Sequence, residues 1–204
     1  MNNFMEIIIH RVNTIKQLKS ISNNFGTEID IRSSSSKLIL SHDPFVKGDS
    51  LENYLYEYKK KGTLVLNIKE SGIEKTVLKL VRKYKIKSYF LLDVEFPYIF
   101  KTLDKKLNKN VAVRFSEYEN IGLSKKLINK VNWIWIDTYK KFPIDNKNLK
   151  FIRKFKSCLV CPERWSRPRD IKRYYLSMKK LKFLPNAIMT SLKCSRIWLK
   201  SLDK

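Results

Sequence analysis

Residues 6–44 read EIIIHRVNTIKQLKSISNNFGTEIDIRSSSSKLILSHDP, and the spacing of their apolar residues changes as the stretch proceeds. Residues 6–10 form a short isoleucine run, the pattern of a buried strand. Thr14 with Gln17 three residues on is a capping-box pattern, so the spacing over residues 14–23 predicts a helix directly after the strand end at His10 and Arg11. Residues 28–32 alternate charged and apolar side chains and read as a second strand. Residues 38–41 read as a third, with the serine run 33–36 as the hairpin turn between them.

The same alternation continues outward from this stretch. Further strands are expected at 63–69, 88–94, 111–115, 133–137, 157–161 and 187–190. Helical spacing falls at 51–59, 73–84, 96–107, 124–130, 146–155 and 168–181, with Pro97 and Pro168 suited to first helical turns. A βαβα order implies a mainly parallel sheet, doubly wound or closed. About eight strand positions leave roughly 25 residues per βα unit, near the lower limit for a (β/α)8 barrel. No Gly/Ser-rich linker divides the chain, so residues 1–204 are expected to form a single domain.

Composition narrows the function classes. The chain has 204 residues, with 43 Lys+Arg against 19 Asp+Glu, a formal net charge of +24. A hydrophobic fraction of 43% excludes a disordered basic tail, because such tails are poor in core-forming residues. Abundant Lys, Asn, Ile and Tyr are also the bias of an AT-rich genome, so basicity alone is a weak argument. The charge still implies an anionic partner: nucleic acid, an anionic membrane surface or a phosphorylated substrate. Apolar runs such as 6–9 and 89–94 are too short to span a bilayer, and the start MNNFMEIIIHR does not read as an export signal, which gives the expectation of a cytoplasmic protein. Cys158 and Cys161 make one CxxC without a second pair, so Cys158, Cys161 and Cys194 are read as ordinary buried strand residues.

Polar residues gather at the strand ends: His10 and Arg11; Glu28, Asp30 and Arg32; His42 and Asp43; Asn67 and Lys69; Asp93 and Glu95; Arg114 and Glu117; Asp137; Glu163. Side chains two apart on a strand share a face, so Glu28 pairs with Asp30 and Asn67 with Lys69. In a parallel sheet these C-terminal ends lie at one rim, where barrel enzymes build their sites. Two carboxylates offer oxygen ligands to Mg²⁺ or Ca²⁺. Arg11 and Lys69 can neutralise a phosphate. His10 and His42, the two histidines of the chain, suit a general base and a general acid. Interleaving of Glu28 and Asp30 with Ile29 and Ile31 sets an acidic face against an apolar one, and an inward carboxylate pair is costly without a cation.

The order His10-Arg11, Gly26 leading into Glu28-Ile29-Asp30, and His42-Asp43-Pro44 resembles the glycerophosphodiester phosphodiesterase family, part of the wider phosphatidylinositol-phospholipase-C-like barrel group. The resemblance is strongest over residues 6–44 and extends to 64–69. It implies a compact (β/α)8 barrel of parallel strands that hydrolyses a phosphodiester with one divalent metal, Mg²⁺ or Ca²⁺. It also implies roles: His10 and His42 as the acid/base pair, Arg11 and Lys69 on the phosphate, Glu28 and Asp30 on the metal. Asn67 stands where the family carries an acid, and a neutral amide oxygen can still ligate a hard cation at reduced affinity. Asp93 or Glu95 can supply the missing carboxylate. The 25 residues from His42 to Asn67 leave no room for the family's usual insertion, and Val12-Asn13 follows the HR pair in place of glycine. A compact branch with its own leaving group is therefore expected, the later residues Arg114, Asp137, Glu163 and Lys193 reading that group. His10 is assigned as base and His42 as acid.

Expected partners are a small phosphodiester and, peripherally, an anionic membrane, in a setting of lipid metabolism. A degenerate barrel that binds a phosphorylated ligand or an acidic partner without turnover is the alternative. A nucleic-acid-binding protein is the third class, suggested by the charge and by Trp133, Trp135, Trp165 and Trp198. No recognised nucleic-acid motif supports it, and Trp133 and Trp135 fall in a strand pattern.

Overall fold

The computed structural model describes residues 5–35, 37–103 and 109–202, with side chains through residue 200. Among them, eight parallel strands alternate with helices in the order of a compact (β/α)8 barrel. Strand neighbours run Tyr89–Leu92, Leu64–Ile68, Gly26–Ser34, Glu6–Ile9, Ala187–Thr190, Lys156–Val160, Trp133–Ile136 and Ala112–Phe115, with Lys37–Leu40 added to Gly26–Ser34 and an isolated parallel bridge between Leu91 and Val111. By their backbone contacts the residues fall into two compact units, 8–111 and 1–7 with 112–204.

The first unit begins within β1 (Glu6–Ile9), where Ile8 and Ile9 pair with Gly26 and Thr27 of β2 (Gly26–Ser34). Between them lies α1 (Ile15–Ser20), whose start follows the capping box: Thr14 Oγ1 accepts from Gln17 N–H and Gln17 Oε1 accepts from Thr14 N–H, both at 3.1 Å. The hairpin to β3 (Lys37–Leu40) forms as expected around the serines, although Ser36 lies outside the described residues and Ser33 and Ser34 belong to β2 itself. Next come α2 (Leu51–Glu57), β4 (Leu64–Ile68), α3 (Glu74–Lys83), β5 (Tyr89–Leu92) and α4 (Phe96–Leu103). The expected extension of α4 to residue 107 lies outside the described residues. Ile8, Ile29, Ile31, Leu64, Leu66 and Phe90 are all buried, Ile8 and Phe90 on the face that register gives Glu28 and the others on the opposite face.

In the second unit, β6 (Ala112–Phe115), β7 (Trp133–Ile136), β8 (Lys156–Val160) and β9 (Ala187–Thr190) pair in parallel in chain order. They are joined by α5 (Ile121–Lys126), α6 (Asn146–Ile152) and α7 (Asp170–Lys180), and α8 (Leu192–Leu202) follows. The helix expected at 124–130 begins earlier, because Asn120 caps it by accepting from Gly122 N–H at 2.6 Å. Trp133 and Trp135 are buried in β7, as packing residues are. Cys158, Cys161 and Cys194 are free and buried, and Trp198 Nε1 donates to Cys161 Sγ at 3.0 Å. Cys194 lies in α8, a helix the hydrophobic period did not reveal. No helix among the described residues is long and apolar enough to cross a membrane.

Candidate active site

The site is assembled within the first unit by three neighbouring strand ends. Parallel register sets Asp30 beside Asn67, and the two-residue period carries Glu28 and Lys69 to the same faces as these partners. Glu28 and Asp30 are 2% and 1% exposed, so both carboxylates are held out of water. Each of their oxygens has a neighbour. Glu28 Oε1 accepts from Asn67 Nδ2 at 3.0 Å, and Glu28 Oε2 accepts from the Arg11 backbone N–H at 2.8 Å. Asp30 Oδ2 accepts from Asn13 Nδ2 at 2.8 Å, while Asp30 Oδ1 lies 3.1 Å from Lys69 Nζ.

The turn after β1 makes this possible. Arg11 takes the left-handed conformation, φ 53°, and with Val12 N–H bound to the Glu28 carbonyl at 2.8 Å the turn is tied to β2 by side chain and backbone together. The same turn holds His10, whose Nε2 is 3.8 Å from Glu28 Oε2, and sets Arg11 Nε 3.9 Å from Asp30 Oδ2.

His42 enters from β3. Ser41 N–H donates to the Asp30 carbonyl at 3.0 Å, which brings the next residue to the level of the carboxylates. Arg32 Nε and Nη2 donate to the His42 carbonyl at 3.2 and 3.1 Å. His42 Nδ1 and Asp43 Oδ1 are 2.7 Å apart, which leaves Nε2 as the nitrogen available for proton transfer. That hydrogen bond also holds the Asp43 carboxyl below the ordinary carboxylate range. Asp93, φ 58°, lies 3.9 Å from Lys69 Nζ, so the lysine sits between two carboxylates. Glu95 is exposed, and its carbonyl caps α4 by accepting from Tyr98 and Ile99 N–H. Asp93 is therefore the carboxylate that joins the cluster.

Burial pushes the Glu28 carboxyl up to about 7, and the nearby Asp30 charge adds to the shift; hydrogen bonds from Asn67 and Arg11 and the Lys69 charge pull the other way. An acid pair under this strain is a seat for positive charge. The residues fit a divalent cation in a further respect, since Asn67 Oδ1 is buried without a hydrogen-bond partner. With Glu28 and Asp30 it completes a set of three oxygens, which suits a hard cation that keeps several waters. Among the described residues there is no group of three or more His, Cys, Asp or Glu able to hold a metal.

The other expected residues lie in the second unit. Arg114 and Asp137 form an ion pair there. Glu163 Oε1 accepts from Thr190 Oγ1 at 2.6 Å and from Ser191 N–H at 2.9 Å. Lys193 is exposed on α8. Two contributors were given no role by the sequence reading. Asn13 grips Asp30 twice, its Oδ1 accepting from Asp30 N–H at 2.9 Å, and the one signal for it was its place where a glycine was expected. Arg32 ties the His42 loop to β4 by donating to the Lys69 carbonyl at 3.5 Å, a contact that no local pattern announces.

No protein-family model matches the sequence, and no curated protein sequence matches it either. Solved structures do. A glycerophosphoryl diester phosphodiesterase from Parabacteroides distasonis aligns with a TM-score of 0.67 at 11% identity, over 99% of this chain and 88% of that one. A glycerophosphodiester phosphodiesterase from Agrobacterium tumefaciens gives 0.63 at 12% identity, over 91% of this chain and 96% of that one. A phosphodiesterase from Oleispira antarctica, in complex with the product sn-glycerol-3-phosphate, gives 0.64 at 13%, over 98% and 97%. The class defined is thus a (β/α)8 barrel of the architecture these phosphodiesterases share. At such identities the likeness is one of fold.

Proposed function

We propose that the protein is a divalent-metal-dependent phosphoric diester hydrolase, similar in chemistry to the glycerophosphodiester phosphodiesterases whose fold it shares. The observation that carries this reading is the buried Glu28–Asp30 pair with His10 beside one carboxylate and Lys69 on the other. Glu28, Asp30 and the Asn67 amide oxygen would hold the cation, with Asp93 a further carboxylate beside Lys69. Bound there, Mg²⁺ or Ca²⁺ supplies Lewis-acid polarisation of the phosphoryl oxygens.

The chain's own groups do the rest. Arg11 and Lys69 are the cations nearest the carboxylates and neutralise charge on the phosphoryl group. His10 Nε2 takes the proton of the attacking hydroxyl, and Glu28 stabilises the imidazolium that results. His42, oriented through Nδ1 by Asp43, donates from Nε2 to the leaving alkoxide. Each proton transfer contributes roughly 10² to 10⁴ in rate. The buried free thiols suit a reducing compartment, which supports a cytoplasmic setting.

The test is turnover of a small soluble phosphodiester with Mg²⁺ or Ca²⁺ by wild type, His10→Ala, His42→Ala and Glu28→Gln. Each variant is expected to lose about 10² or more in kcat, and unchanged turnover in all three would overturn the assignment. One observation favours a second reading, a barrel that binds a phosphoryl ligand without turnover: Asn67 replaces the third acid and already binds Glu28. Phosphate binding that depends on Lys69, with no hydrolysis across a panel of diesters, would select it.

A further inference from the structure

Beside this site the fold leaves apolar side chains uncovered. The segment joining β3 to α2 departs at Ser41 and returns at Asp49, whose carbonyl accepts from Leu40 N–H at 2.8 Å, while Ser50 bridges to Ile39. Gly48 closes the base: a β-carbon there would stand 2.1 Å from the Leu40 carbonyl oxygen. The residues between are thereby held out as a closed loop with Pro44, Phe45, Val46 and Lys47 at its tip. Phe45 is wholly exposed, at 104%, and Val46 is 48% exposed. Phe45 also has φ 62°, a left-handed conformation unfavourable for a bulky side chain. Exposure and strain fall on one residue, and the fold gains nothing from its ring.

A second apolar point follows Asp93. Phe96 and Phe100, one helical turn apart on the same face of α4, are 47% and 58% exposed, with exposed Lys101 next in sequence. Phe45 is three residues from His42, and Phe96 three from Asp93, so each separation is at most about 11 Å between Cα atoms. Both points are therefore anchored close to site residues.

We propose that the Pro44–Lys47 tip and the Phe96/Phe100 face dock the first unit onto an anionic lipid surface, and that the substrate is a lipid phosphodiester presented there. Aromatic and aliphatic tips beside lysines are the pattern of a group that enters the headgroup and acyl boundary while its cations meet lipid phosphates. Net charge supplies the complementarity, because +24 draws the protein to a negative bilayer. The docking assignment stands on the exposed side chains alone, whereas the substrate assignment rests on the hydrolase reading. In that reaction the P–O bond to the headgroup alcohol breaks, water oxygen forms the new P–O bond, His10 takes the water proton, and His42 returns a proton to the alkoxide.

Two measurements separate these parts. Co-sedimentation with vesicles of phosphatidylcholine, alone or mixed with phosphatidylglycerol, compares wild type with Phe45→Ser/Val46→Ser and with Phe96→Ser/Phe100→Ser. Wild type is expected to bind the anionic vesicles, less so in high salt, and each double variant to bind about tenfold or more weakly. Turnover of a soluble diester should be the same in all three proteins, while turnover of a lysophospholipid in anionic vesicles falls in the variants. Absence of wild-type binding at low salt, or equal binding by the variants, would overturn the docking surface. Loss of self-association in the variants without loss of lipid binding would assign the face to a second copy of the chain and also overturn it. Vesicle binding as expected with no hydrolysis of any diester would leave docking intact and refute the hydrolase reading and its lipid substrate.

Discussion

Glu28 carries a heavy electrostatic load. It faces Asp30, His10, the Arg11 N–H, Asn67 and Lys69, and its carboxyl is raised from the ordinary 4.5 to about 7. A carboxyl that binds its proton more tightly when folded favours the folded state most at low pH, and that contribution is lost as pH rises from 4.5 through about 7. In metal-free protein, wild type should therefore lose stability relative to Glu28→Gln across this window, by up to about 3 kcal/mol. Thermal melts at pH 5 and pH 8 check it, and Mg²⁺ or Ca²⁺ should shrink the difference at the higher pH. Asn67 makes the complementary case. Asn67→Glu adds a third carboxylate, so divalent affinity measured by calorimetry should rise about tenfold or more, while the metal-free protein melts earlier because the new charge faces Glu28. The types of residue at the site, His10, Glu28, Asp30, His42 and Lys69, were legible in the sequence because strand ends and the two-residue period place them together. Their mutual contacts were not. Asn13 meets Asp30 across 17 positions of sequence, and nothing local marks that pairing.

Among the elements, the short strands were the most legible, since each is a buried apolar run bounded by polar residues. Helix limits were harder, because they depend on single capping contacts such as Asn120 to Gly122 N–H, and α8 was missed because it follows β9 with little polar break. The β3–α2 loop is the element whose form matters most for the site. Its base depends on a close backbone approach at Gly48, which a side chain would block. Gly48→Ala should displace the loop and with it His42, lowering kcat on a soluble diester by about tenfold or more, with a smaller effect on melting temperature. An unchanged kcat would show that the loop base does not position His42. The loop is also short: eight residues between Ser41 and Ser50 carry both His42 and the aromatic tip.

For the whole molecule, the net charge of +24 has two components with different meanings. One is exposed lysine on helix faces, as in α3 and α7, and in loops, which acts as a long-range field. Inside the first unit, Asp30 and Asp93 flank Lys69 beside the buried Glu28. In the proposed function the field draws an anion and these carboxylates would hold a cation. Association with anionic vesicles should therefore weaken steeply with ionic strength, whereas turnover of a small neutral-tailed diester, once bound, should respond mainly to divalent cation. The measurement that tests the central claim most directly is hydrolysis of a soluble phosphodiester by the same protein sample before chelation, after chelation, and after Mg²⁺ or Ca²⁺ is restored. The account predicts turnover that disappears with chelator, returns with the cation, and is absent throughout in Glu28→Gln. Turnover that is indifferent to chelator, or that persists in Glu28→Gln, would contradict it.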